Sequence, residues 1–202
     1  MATSISMPSL YEINSAAKAF DQEDRADTAL VNLFGWATGN TDYNKVLLKV
    51  VALNQLYSTN VYAVREMAAH ISEAGSVIDD CLAVGCPSVV ERIASLTLNG
   101  VTRIHFSFAT KYCSFHQTEK YPIYDANVYR TLMALAKGEK RRSCVSKADR
   151  TYKAFREEID ALRTRLCEPN LSYKTLDKYL YRTGRTLKKN SARAAIASKT
   201  AS

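Results

Sequence analysis

The sequence predicts an all-α fold of about nine helices. Three observations carry that expectation. Apolar residues recur at spacings of three and four along most of the 202-residue chain, as a helix with one buried face requires. No segment shows sustained period-two alternation. Gly and Pro number only 7 and 4, too few for a sheet protein with many tight turns.

Taken in order, residues 8–20 place Leu10, Ile13, Ala17 and Phe20 at helical spacing behind Ser9, a candidate cap. Asp21 to Asp24 break that pattern, and a second helix over 24–35 puts Ala29, Leu30, Leu33 and Phe34 on one side. Thr38-Gly39-Asn40-Thr41 is a turn with Thr41 as candidate cap. From Asp42 to Tyr57 the helix is apolar on nearly all sides (Val46, Leu47, Leu48, Val50, Val51, Leu53, Leu56), which predicts a central position. Its polar end, Ser58-Thr59-Asn60, offers caps and Asn60 would start a helix over 61–71. Residues 73–84 and 88–97 read as helices joined by Gly85-Cys86-Pro87-Ser88. After an interruption at Leu98-Asn99-Gly100-Val101, a helix is expected from Thr102 to His116, then a loop to Tyr124 and a helix from Asp125 to Lys137. Gly138 to Ser143 is a basic connector. Tyr152, Phe155, Ile159, Leu162 and Leu166 mark a helix near 148–167, and Leu176, Tyr179 and Leu180 a last one. The division expected is a helical core over 1–138, basic C-terminal helices over 139–189 packing on it, and a tail over 190–202 without a core pattern.

Composition narrows the function. Hydrophobic content of 47% with 24% charged residues fits a soluble globular protein. No apolar run is long enough to span a bilayer, and residues 1–8 carry no secretory pattern, so a cytoplasmic monomer is expected. The 5 Cys (81, 86, 113, 144, 167) and 3 His (70, 105, 116) lack zinc or iron–sulfur spacing, so no metal or cofactor is expected and the thiols read as reduced. The net charge of +8 is uneven. Residues 1–138 hold 11 Lys and Arg against 13 Asp and Glu, whereas residues 139–202 hold 17 against 7. No acidic residue follows Asp177. A basic end on a near-neutral body is the footprint of a polyanion partner; a solvated basic tail gives the same charge pattern.

Residues 98–130 hold the chemistry-bearing pattern. Leu98-Asn99-Gly100-Val101-Thr102 is a Gly-containing turn, and Tyr124-Asp125-Ala126-Asn127-Val128-Tyr129-Arg130 brings one carboxylate to the start of a helix. Upstream, Leu53-Asn54-Gln55-Leu56-Tyr57-Ser58-Thr59-Asn60-Val61 ends an apolar helix in polar residues. These three stretches, in this order over roughly residues 42–137, resemble the helix-hairpin-helix DNA glycosylases of base excision. The family's hairpin has Pro and a second Gly where this chain has Asn99 and Thr102. The position of the lysine used by its lyase members aligns with Ile104.

The resemblance implies two lobes around a cleft, double-stranded DNA as partner, and base release by nucleotide flipping. Asp125 takes the place of the catalytic aspartate, whose carboxylate stabilises positive charge on the sugar and orients water. An Asp at that position is also an ordinary N-cap. Ile104 in the lysine position implies a monofunctional enzyme, although Lys111 lies two turns further along the same helix face and is the candidate amine for lyase chemistry. Gln55, Tyr57, Ser58, Trp36 and Tyr112 are candidates for the nucleotide gap or base pocket, with Phe108 and His116 as further stacking candidates. Asn99, Gly100, Thr102, Arg103, Arg130, Arg141 and Arg142 are candidates for phosphate contacts. The base could be damaged or naturally modified, as in modified phage DNA. The alternatives are a non-catalytic helical DNA-binding protein and a helical protein whose basic end binds acidic protein or RNA.

Overall fold

The computed structural model describes residues 4–23, 25–140 and 151–200, with side chains through Ile196. Arg141 and Arg142 lie outside the described residues. The fold is predominantly helical, as expected, with ten helices among the described residues: α1 (Leu10–Glu23), α2 (Arg25–Trp36), α3 (Tyr43–Tyr57), α4 (Val64–Glu73), α5 (Gly75–Val84), α6 (Ser88–Ala94), α7 (Phe106–His116), α8 (Ala126–Gly138), α9 (Tyr152–Arg165) and α10 (Tyr173–Thr200). One continuous apolar cluster runs from Ile13 on α1 to Leu180 on α10.

The region around Asn99 departs from expectation. In place of a helix resuming at Thr102, the chain forms an antiparallel hairpin, β1 (Ser95–Leu98) and β2 (Val101–Ile104), with Leu98 facing Val101. Asn99 and Gly100 take φ of 50° and 76°. Positive φ at both central residues is the two-residue hairpin turn whose twist suits flanking strands, and Asn-Gly is its strongest sequence signal. The β-branched Thr97, Val101, Thr102 and Ile104 support the strands, and the Thr97 and Thr102 hydroxyls pair at 2.8 Å across them. The following helix therefore starts four residues later than expected, at Phe106.

Other boundaries moved for local reasons. Asp42, not Thr41, caps α3, its carboxylate accepting from the Asn44 and Lys45 amides. Asn60 caps nothing; it has φ of 58° in the loop, and α4 starts at Val64. Asn54 instead organises that loop: its Oδ1 accepts from the Val61 amide and the Thr59 hydroxyl (both 2.9 Å), and its Nδ2 donates to the Val61 carbonyl (3.0 Å). Although α3 buries Val46, Lys49, Val50 and Leu53, Leu48, Val51 and Leu56 are exposed, so it is covered on one side only. The residues expected as a tail from 190 onward continue α10 to Thr200, with exposed side chains over 190–196.

Two features place the elements around the future site. First, α10 packs on α8 at Gly184, where an added Cβ would lie 2.1 Å from the Asn127 carbonyl oxygen. The Thr131 hydroxyl donates to the Leu180 carbonyl (2.7 Å) in the same contact. Second, α10 is tied to α1 and α2 by a ladder: Lys174 to Asp27, Lys178 to Asp21 and Arg182 to Glu23. Spacing of four along a helix puts these three cations on one face.

A buried polar network holds α3 against α7. The Lys49 amine donates to the Gly39 carbonyl (2.6 Å) and Asn40 Oδ1 (3.0 Å) and lies 3.1 Å from His116 Nε2. The Tyr112 hydroxyl also donates to Asn40 Oδ1 (2.6 Å), and Asn40 donates through its amide nitrogens to Asp79. Burial, with the Lys49 charge adding to it, lowers the His116 pKa from 6.5 to about 3, and burial lowers Lys49 to about 8.

Two predictions follow from this packing. Gly184→Ala should lower stability by ~1–3 kcal/mol from overpacking, more than the ~1 kcal/mol Ala gains in a helix; a thermal melt at or above the wild-type midpoint would refute the close crossing. His116 is neutral in the fold but takes a proton below about pH 6.5 when unfolded, so its contribution to stability is present above pH 6.5 and lost as pH falls toward 3. His116→Gln, which keeps an acceptor for Lys49 without titrating, should flatten the pH dependence of urea unfolding by up to ~1.4 kcal/mol per pH unit in that window. Parallel wild-type and variant curves would count against a neutral His116.

Candidate functional site

Residues 117–125 carry the site because they are fixed at both ends. Tyr121, Pro122, Ile123 and Tyr124 are all buried. The Tyr121 hydroxyl donates to the carbonyls of Cys81 and Cys86 (both 3.1 Å), and the Tyr152 hydroxyl to that of Pro122 (3.0 Å). On α7, the Thr110 hydroxyl meets the Tyr124 backbone twice, accepting from its amide (3.1 Å) and lying 3.3 Å from its carbonyl. Thr110 precedes Lys111 and Tyr124 precedes Asp125, so this clamp sets the lysine and the aspartate relative to one another.

Asp125 caps α8: its Oδ1 accepts from the amides of Asn127 (2.7 Å) and Val128 (2.8 Å). Both roles expected for it are compatible, because one oxygen caps the helix while the residue also lines a cavity. That cavity, of about 220 Å³, is bordered by Phe20, Asp27, Leu56, Tyr57, Ser58, Lys111, Ile123, Asp125, Lys174, Asp177, Lys178 and Tyr181. It is smaller than drug-sized sites of roughly 300–1,000 Å³ and suits a ligand the size of one nucleobase or sugar.

Charge in this cavity is dense and nearly balanced. Lys111 is only 3% exposed, and its amine donates to the Ser107 hydroxyl (2.7 Å). Burial lowers its pKa, opposed by the nearby carboxylates of Asp125 and Asp177. Asp27 is buried and accepts from the Tyr57 hydroxyl (2.9 Å) and the Lys174 amine (2.5 Å). Burial raises the Asp177 pKa, with Asp125 adding to the rise. Asp177 Oδ1 is buried with no hydrogen-bond partner among the described residues. Leaving such a group unpaired costs stability, which fits a site held for a ligand.

Of the sequence candidates, Asp125, Lys111, Tyr57 and Ser58 meet in this cavity. Gln55 is exposed on α3 and does not border it. Trp36 is 65% exposed at the end of α2, away from the cavity lining. Tyr112 is a correction: it is fully buried, bound to Asn40 and packed against Phe34 and Phe108. Phe108 is fully buried, and His116, half-buried, packs against Phe34 and Tyr112. Arg130 is also corrected, since its guanidinium donates to Asn127 Oδ1 (2.7 Å) and the Gly184 carbonyl (3.3 Å), joining α8 to α10. Ile104 is exposed on β2, ahead of α7 and outside the cavity lining.

Asn99, Gly100, Thr102 and Arg103 are exposed on the hairpin. Asn99 and Arg103 line a second hollow of about 340 Å³ with Tyr62, Ala63, Leu96, Leu98, Val101 and His105. Tyr62 is 83% exposed. The loop from Ser58 to Ala63 thus links the two hollows, bordering the charged cavity at Ser58 and the hairpin hollow at Tyr62. Sequence reasoning missed Asp27, Lys174, Asp177 and Lys178. Asp177 had a signal, as the last acidic residue before a wholly basic end; Asp27 on α2 had none.

Fold and site together define a predominantly helical protein with a lysine–carboxylate cavity and a separate hollow at a β-hairpin. Residues 12–120 match the family model HI_0787_N, described as an N-terminal domain. An uncharacterized protein from Haemophilus influenzae is 31% identical over 189 residues, covering 91% of this chain and 90% of the relative. The chain belongs to the HI_0787_N family. No solved structure matches it. The matched span contains Asp27, Tyr57 and Lys111 and ends before Asp125 and α10. Among the described residues no His, Cys, Asp and Glu group is arranged to hold a metal ion, and no helix is long and apolar enough to cross a membrane.

Proposed function

We propose that this protein is a DNA glycosylase, a divergent relative of the helix-hairpin-helix enzymes, that extrudes a damaged or modified nucleotide into the charged cavity and breaks its N-glycosidic bond. The observation that carries this reading is the meeting of Lys111 and Asp125 in one cavity of about nucleobase size. Lys111 is the sixth of the eleven residues of α7, the helix that follows the hairpin, and the lyase members of that superfamily carry their amine on the corresponding helix, which supports the reading.

Asp125 faces the sugar and stabilises the positive charge that develops as the C1′–N bond breaks. The bonding electrons leave with the base, which takes up a proton. Lys111, held in a desolvated site that favours the free amine, adds through Nζ to C1′. Asp125 accepts the proton released from the new ammonium. Opening of the C1′–O4′ bond, with O4′ taking that proton back from Asp125, then gives a Schiff base, and loss of the C2′ proton to water expels the 3′ phosphate with the C3′–O bonding electrons. This assigns lyase chemistry to Lys111 in place of the water-only route that Ile104 implied.

Duplex DNA would lie across the loop 58–63 and the hairpin, with Asn99, Gly100 and Arg103 at the backbone. Exposed Arg185, Lys188, Lys189 and Arg193 on α10 add positive charge. Such phosphate contacts make binding steeply salt-dependent. A non-catalytic DNA-binding protein shares this surface but has no use for a buried amine beside carboxylates.

The test is a panel of duplexes, each with one damaged or modified base, followed by alkali to cut abasic sites. Wild-type protein should release at least one base. Asp125→Asn should lose roughly 10²–10⁴-fold in rate while retarding the same duplex. Duplex binding without release of any base would establish the non-catalytic alternative.

A further inference from the structure

We infer that Cys81 and Cys86 are a peroxide-oxidisable dithiol, a modification site that closes to a disulfide and loosens the loop leading to Asp125. The pair lies outside the charged cavity, and its chemistry is independent of the glycosylase reading. Both thiols are free and half-buried, within reach of a molecule as small as peroxide.

The end of α5 brings them together. Gly85 takes φ of 74°, the left-handed turn that closes many helices. The Cys86 amide then donates to the Cys81 carbonyl (2.9 Å), and the Gly85 amide to that of Leu82 (3.2 Å). In this closure the side chains of its first and last residues, Cys81 and Cys86, come into contact. The amide–carbonyl bond keeps the two α-carbons within roughly 7 Å, a span a disulfide accepts. The thiols already hydrogen-bond one another. Their surroundings differ. The Ser88 hydroxyl lies 3.1 Å from Cys86 Sγ and, with the Ser88 amide, Cys81 and the Val89 amide, holds that thiol below its ordinary range. Burial raises Cys81. The thiolate is the nucleophile, so Cys86 attacks first and Cys81 resolves.

The Cys86 thiolate attacks one oxygen of peroxide. The O–O bond breaks, and the hydroxide that leaves takes up a proton as water. Cys86 is then a sulfenic acid. Cys81 gives its proton to solvent and attacks the Cys86 sulfur. The S–O bond breaks, and a second hydroxide leaves as water. Together the thiols lose two electrons and two protons, and peroxide is reduced to two waters.

The same turn holds the site loop. The Tyr121 hydroxyl donates to the carbonyls of both cysteines, and the Lys120 amine to that of Ala83 between them. A disulfide draws the sulfurs to about 2.05 Å. The backbone must follow, which re-aims the carbonyls that hold Tyr121, four residues before Asp125.

The experiment treats the reduced full chain with hydrogen peroxide. Mass spectrometry should find a disulfide between Cys81 and Cys86 that dithiothreitol reverses. Cys86 should be consumed roughly 10-fold faster than the exposed Cys167. Cys81→Ser should stop at a Cys86 sulfenic acid trapped by dimedone. In the disulfide form the amides of Lys120, Tyr121 and Tyr124 should exchange hydrogen roughly 2- to 10-fold faster than in the reduced form, as weakening of one hydrogen bond gives. No disulfide, or equal consumption of Cys86 and Cys167, would overturn the dithiol. Unchanged exchange at those amides in oxidised protein would overturn its hold on the loop. Neither result touches the glycosylase reading, which stands or falls on base release.

Discussion

A lysine amine buried among carboxylates is the constraint around which the structure is arranged. Lys111 is almost wholly removed from water, where a charged amine is costly. Ser107 gives it one hydrogen bond, and Asp125 and Asp177 supply opposing charge from α8 and α10. That arrangement needs three helices and a loop to converge. The Thr110 clamp on Tyr124 brings the loop to α7, and Gly184 lets α10 close onto α8. Without either, the cavity would lose a wall and the amine its counter-charges.

The basic C-terminal third acquires two roles. Lys174, Lys178 and Arg182 face Asp27, Asp21 and Glu23 and tie the last helix to the first two. The charge that suggested a polyanion partner is thus partly internal wiring, and it closes one side of the cavity. Beyond Arg182 the same helix carries its cations outward, exposed to solvent. Exposed pairs contribute little to stability, but Lys174 and Asp27 are mostly buried, and their pairing also fixes the Tyr57 hydroxyl.

Much of the helical fold was legible because helices such as α1 and α9 bury one stripe: Ile13, Ala17 and Phe20, or Phe155, Ile159 and Leu162, follow from spacing alone, whereas α7 is buried all round from Phe108 to Phe115. The hairpin was misread because the strands have only four residues each, too few for alternation to register. The Asn99-Gly100 turn held the missing signal. That Asp125 and Lys111 line one cavity was approached from the sequence by two routes: Asp125 through the resemblance, and Lys111 through its two-turn spacing from Ile104. Asp27 and Asp177 were not legible, since they come from helices 150 residues apart that meet only through packing. Tyr112 and Arg130 were assigned to ligand contacts on residue type, and burial reassigned both: an aromatic at helical spacing is more often core, and a half-buried arginine is often satisfied by backbone carbonyls.

The central claim is that the Lys111 amine is a nucleophile aimed at a sugar carbon. It is tested most directly by incubating the protein with a duplex containing one abasic site in the presence of borohydride, then digesting the product and locating the modified peptide by mass spectrometry. The account predicts a covalent protein–DNA adduct, with the reduced linkage on Lys111 and no adduct in Lys111→Gln. An adduct on another lysine, or none under conditions where the protein binds the duplex, would contradict it.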